Sequence, residues 1–283
     1  METVGILSLP TWHQTPPRND LLESILQGRT HDTSPFPFSE EINKKLAFCP
    51  RGYIRAFLYS TRNLLENCVI RNGDISTLSC DAIVHTTNES FKEKSPITDK
   101  ILQRAGPQLR EDLAFRLKVC RTGDAKLSKG YNLPARHVIH TVGPKYNAKY
   151  HTAAESALFS CYQRVFQIVR ENKFSTLGLC VINSIRRGYP PHEGAHLALR
   201  ALRRFLEQNH AALTMVVLVV EELDYGIYEL LLPLYFPRSE EEQEYAQHYL
   251  PADIGGPSGE PFIQERKIRI IDKPLLNGDE GKL

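Results

Sequence analysis

The segment His85 to Lys100, HTTNESFKEKSPITDK, joins an apolar run ending at Val84 to a helical pattern opened by Ser95-Pro96. Strand-to-helix crossings of this kind hold phosphates, because the first N–H groups of the helix are unpaired and can point at an anion. Backbone can approach the anion closely only where glycines remove the Cβ atoms, and this crossing contains none. Side chains offer a second route. Asn183-Ser184-Ile185-Arg186-Arg187-Gly188 follows another apolar run, and guanidinium groups pair bidentately with phosphate. Two solvated loop arginines are the plainer alternative.

Other reactive side chains are isolated. His140 lies inside VIHTVGP, where a hydrogen-bonded structural histidine is expected rather than a general base. The six cysteines include no C-x-x-C pair and no short Cys/His spacing, which argues against structural zinc and a secreted disulfide framework. Cys120 opens CRTGDAK with no base beside it, so no cysteine is assigned to catalysis.

The elements that must position these residues follow from periodicity. Val69–Ile70, Ala82–Val84, His137–Val142, Leu177–Ile182 and Met215–Val220 are short, predominantly apolar runs and predict strands. Ser95-Pro96 supplies an N-cap and a first-turn proline for a helix stopped by Gly106-Pro107. Thr152–Asn172 and Glu193–Gln208 carry apolar residues at i, i+3 and i+4, and Tyr225–Leu232 predicts a further helix limited by Pro233 and Pro237. Apolar strands alternating with helices indicate an α/β fold with three layers and a mostly parallel sheet. Ligands of such sheets bind beyond the strands' carboxyl ends, here after Val84, Val142 and Ile182.

Composition sets the frame. The 283 residues are 41% hydrophobic, enough for a substantial core, and apolar density concentrates between Val69 and Phe236. Residues 1–33 are expected to be a flexible segment, 34–238 one domain, and 239–283 an extended tail. A formal net charge of +2 gives no global attraction for nucleic acid, so an anion site must be local. The longest aliphatic run, Met215–Val220, is far shorter than the roughly 20 residues of a membrane helix, and an intracellular, cytoplasmic protein is expected.

Gly73–Ser76 (GDIS) and Asp81–Asn88 (DAIVHTTN), with AGP at Ala105–Pro107, Thr122–Pro144 and RGYP at Arg187–Pro190, resemble in order the blocks of the macro domain family. The resemblance implies an α/β/α macro fold and a pocket for ADP-ribose, with no cofactor and no metal. Further blocks, LPLYFPRS at Leu232–Ser239 and YLPADIG from Tyr249, resemble a branch in which a Sec14-like lipid-binding domain follows; the chain ends at Leu283, before such a domain. The sequence reads smoothly from Leu46 into Val69, so 47–68 is expected to be an insertion in the first strand. Its RGYIRAFLYSTR stretch holds too few basic residues for a nucleic-acid groove.

Residue by residue, the resemblance implies ligand contacts from Asp74, Ile75, Asn88, Ser184, Ile185, Arg186, Arg187, Gly188 and Tyr189. Asp74 matches an acid that accepts from the adenine amine, and Asn88 an amide near the distal ribose. Each has a turn-forming alternative. The family's glycines fall on Glu93–Pro96, and the acid of hydrolytic members falls on Thr98, with Asp99 one residue beyond. The expectation is a non-catalytic module for ADP-ribose or poly(ADP-ribose). The alternatives are an ADP-ribosyl hydrolase using Asp99 and an interaction scaffold without a nucleotide site.

Overall fold

The computed structural model describes residues 3–9, 11–14, 46–50, 74–182 and 188–261. In chain order the strands and helices are β1 (Val4–Gly5), β2 (Leu46–Pro50), β3 (Leu78–Ser79), β4 (Ala82–Thr86), α1 (Pro96–Ala105) and α2 (Pro107–Glu111). A π-turn (Asp112–Leu117) continues α2; then come β5 (Ala125–Lys129), β6 (His137–Thr141), α3 (His151–Glu171), β7 (Thr176–Cys180), α4 (Pro191–Asn209), β8 (Met215–Val220), α5 (Glu222–Tyr235) and α6 (Glu240–Tyr249).

The main sheet runs β2-β8-β7-β4-β6-β5, parallel throughout except for the antiparallel edge pair of β5 and β6. β7 and β8 are buried at every residue, so both faces of the sheet are covered and the strands read as unbroken apolar runs. The fold is therefore the expected α/β class with a mixed, mostly parallel sheet. β1 pairs separately with β3.

Asp81 fixes how β4 meets β7. Its carboxylate accepts four hydrogen bonds from the backbone and hydroxyls of Ser175 and Thr176, at 2.8 to 3.0 Å, and lies 3.2 Å from the Arg136 guanidinium. Burial alone would push this carboxyl up; the donated hydrogen bonds outweigh it and hold the carboxyl below its usual range.

Four expectations change. β5 escapes the periodicity because it is a half-exposed edge strand with polar residues on both faces. Pro233 does not limit α5: it lies in the last turn, and the helix ends at Tyr235, where Phe236 N–H still donates to the Leu232 carbonyl. The segment after Arg238 is not an extended tail up to residue 261. Ser239 caps α6, and Gly259 packs against Ala201 of α4. Part of the N-terminal segment also packs: the buried Trp12 ring donates Nε1–H to the Phe236 carbonyl at 2.6 Å and stacks under the Arg238 guanidinium, which is paired with Glu242. Of the expected insertion, residues 47–50 lie in β2 beside β8; residues 51–68, like the expected strand Val69–Ile70, lie outside the described residues.

Candidate functional site at the strand carboxyl ends

The crossing after β4 is built by side chains. Asn88 Oδ1 accepts from the Lys92 amide at 2.8 Å and the Ser90 hydroxyl at 3.2 Å, and its carbonyl accepts from the Phe91 amide at 3.0 Å. This closed turn carries Phe91 at φ +59°, an unusual conformation for a bulky residue, with the ring buried against His140. Ser95 Oγ accepts from the Thr98 amide at 3.1 Å and Pro96 occupies the first position of α1, as its sequence predicts. Glu89 accepts both the amide and the hydroxyl of Thr122 at 3.0 Å, which ties the loop before β5 to the crossing.

Beneath the crossing runs a buried chain of hydrogen bonds. Ser128 Oγ on β5 meets His140 Nε2 at 2.8 Å, His140 Nδ1 meets His85 Nδ1 at 2.9 Å, and His85 Nε2 meets Thr98 Oγ1 at 3.0 Å. Ser95 Oγ completes it at 2.9 Å from Thr98 Oγ1. One imidazole donates through Nδ1 and the other accepts, so both rings are satisfied as neutral tautomers. Burial, followed by His85 and Arg116, holds the His140 pKa well below the usual histidine range, consistent with the structural role expected of it.

The remaining sequence-derived residues are spread around these strand ends. Asp74 forms the Asx turn anticipated as its alternative: Oδ1 accepts from Ser76 N and Oγ at 3.0 and 2.6 Å. Its other oxygen faces Lys100 and Arg104 of α1 at 3.7 and 3.6 Å. Ile75 is a core residue against β7, so only its backbone could meet a ligand. Gly188 has φ +70° in open space, and Tyr189 is buried edge-on to Tyr146. Ser184, Ile185, Arg186 and Arg187 lie outside the described residues.

One polar cluster was not foreseen. Asp224, one turn into α5, is 5% exposed; its carboxyl is pushed up to about 6 by burial and then by Glu221. One turn further, the buried Tyr228 hydroxyl makes no hydrogen bond of normal geometry among the described residues; burial and then Asp224 push it up, and a weak contact with Tyr162 opposes them. Cys180, at the end of β7, is pushed up to about 12 by burial and by Glu221. The signal in the sequence was an acid at i and a tyrosine at i+4 within the apolar stripe of α5 that continues through Leu231 and Tyr235. Among the described residues, no group of three or more His, Cys, Asp or Glu could hold a metal ion, and no helix is long and apolar enough to cross a membrane.

With this geometry in place, similarity to known proteins becomes informative. A family model described as Macro domain matches residues 84–198, from within β4 into α4. The crystal structure of the ganglioside induced differentiation associated protein 2 (GDAP2) macro domain is 42% identical, with a TM-score of 0.68, over 84% of this chain and 99% of that one. The chain belongs to the macro domain family. Within that family, the Protein GDAP2 homolog of Nematostella vectensis is 48% identical over 98% of this chain. The chain spans about half the length of that curated relative, 51%. A Trypanosoma brucei macrodomain crystallised in complex with ADP-ribose is 29% identical with a TM-score of 0.55, over 69% of this chain and 72% of that one.

In this macro domain, His85 is buried at the β4 crossing and bonded to His140 and Thr98. Thr98 is 1% exposed. Asp99, its neighbour, is exposed and lines a different cleft with Leu102 and Arg110.

Proposed function

We propose that this macro domain binds ADP-ribose-containing ligands, poly(ADP-ribose) included, without hydrolysing them. The observation that carries the reading is Thr98: the position where hydrolytic relatives are expected to place an acid holds a buried hydroxyl shared between His85 and Ser95. A water-activating carboxylate is therefore missing at that point. Backbone cradling of the diphosphate is equally weakened, because Ser95 Oγ already takes the Thr98 amide and Pro96 has no N–H to offer. Arg186 and Arg187 supply the positive charge in its place, and Asp74 and Asn88 the adenine and ribose contacts. Asp74 can accept an amine only by sharing its carboxylate with Lys100 and Arg104. In the cell this corresponds to a soluble, cytoplasmic reader of the modification.

Calorimetric titration with ADP-ribose and with poly(ADP-ribose) at low and moderate salt tests the reading. Binding that weakens steeply with salt is expected, since each neutralised phosphate releases counterions. A flat titration with both ligands at low salt leaves only the scaffold reading. Release of ADP-ribose from a modified acceptor protein, abolished by Asp99→Ala, would instead establish the hydrolase.

A further inference from the structure

Behind the β4 crossing, between its loop and the π-turn that follows α2, lies a cleft of about 440 Å³. Phe91, Leu102 and Leu113 give it an apolar floor, and Lys92, Lys94 and Arg110 stand around it. The side chains of these three cations make no ion pair or hydrogen bond, although Glu93 and Asp99 also line the cleft. Unpaired cations around an apolar hollow of small-molecule size are an uncompensated arrangement, completed by an anion that carries an apolar body.

Two backbone features support a built cleft over a gap left by packing. Phe91 is held at φ +59° by the Asn88 turn, a conformation that bulky residues rarely adopt. The opposite wall comes from a π-turn, Asp112–Leu117, a rare geometry that concentrates at functional positions. That turn contributes Leu113 and Ala114. Among the described residues, the proposed ADP-ribose contacts Asp74, Asn88, Gly188 and Tyr189 do not line this cleft.

We infer that this cleft binds a phosphate monoester with an apolar body, the phosphate meeting Lys92, Lys94 and Arg110 and the body lying on Phe91, Leu102 and Leu113. A dianionic head is favoured over a carboxylate because attraction to the three cations grows with the charge of the anion and exceeds the repulsion from Glu93 and Asp99. The inference is independent of the ADP-ribose reading.

The test titrates the full 283-residue chain with octyl phosphate below its micellar concentration, with octanol and inorganic phosphate as controls. Octyl phosphate should bind at least roughly tenfold more tightly than either control, because each lacks one half of the recognition. Arg110→Gln should weaken it by roughly tenfold. Ala114→Glu, an exposed position on the wall, should abolish binding by placing a carboxylate at the mouth. Thermal melts of both variants serve as the control for folding and should match the parent chain. Phosphatidic-acid vesicles distinguish the source: capture of vesicles and octyl phosphate together indicates a lipid headgroup, and capture of octyl phosphate alone a soluble ester. Equal affinity for octyl phosphate and inorganic phosphate, binding unchanged in both variants, or response to vesicles alone overturns the inference.

Discussion

The carboxyl ends of β4 and β8 both carry buried polar side chains, and they treat them in opposite ways. At β4, the side chains of Ser128, His140, His85, Thr98 and Ser95 satisfy one another, and Asn88 closes the loop above them. At β8, Asp224 has Glu221 as a repelling neighbour, and the Tyr228 hydroxyl has only a weak contact with Tyr162 among the described residues. A satisfied buried network stabilises one conformation, whereas an unsatisfied one costs stability and leaves capacity for a proton or a ligand. The β4 crossing is thus an internally hydrogen-bonded scaffold.

The largest effect should come from breaking the satisfied end. His140→Ala removes a fully buried ring that bridges Ser128 and His85, and should cost about 3 kcal/mol in a denaturant melt. A loss under about 1 kcal/mol would erase the contrast.

Next comes Asp224→Asn. Because the folded carboxyl is raised from 3.8 to about 6, its contribution to stability is fully present below about 4 and is lost as pH rises through 6. Above that, the fold carries a buried charge, and the amide should raise stability by roughly 2 kcal/mol after allowance for solvent screening. Melting temperatures of the two proteins should therefore diverge between pH 4 and 6, in favour of the variant; parallel curves would mean that Asp224 is solvated like an ordinary acid.

Ser95→Ala should cost about 1 kcal/mol, through loss of the α1 cap and of the last link of the buried chain. The smallest effect is expected from Tyr228→Phe, which deletes a hydroxyl in only weak contact with Tyr162 and should change stability by less than about 0.5 kcal/mol, toward a gain. A clear loss there would show that the hydroxyl is satisfied, and the two ends would no longer differ in kind.

Legibility in the sequence followed the same division. Ser95-Pro96 announced α1 because capping is a local interaction decided within one turn. The apolar run Met215–Val220 announced β8 to the residue, since burial on both faces leaves no polar position. β5 stayed hidden because an edge strand has no such constraint. Trp12 could not be placed, since its slot is made by Phe236 and Arg238, more than two hundred positions away. Asp224 was passed over because its burial is set by the packing of α5 in the fold, not by its own neighbours in the chain.

By itself, then, the sequence determined the order of the apolar strands and the long helices, the α/β class, the family and the absence of glycine at the β4 crossing. Each of these is written in residue type and local spacing. Only the tertiary structure decided that His85 and His140 meet, that Thr98 is buried between hydroxyl and imidazole, and that Asp74 faces two cations of α1. Those facts concern contacts between distant segments, and the physical cost of a buried polar group is set by what the fold places beside it.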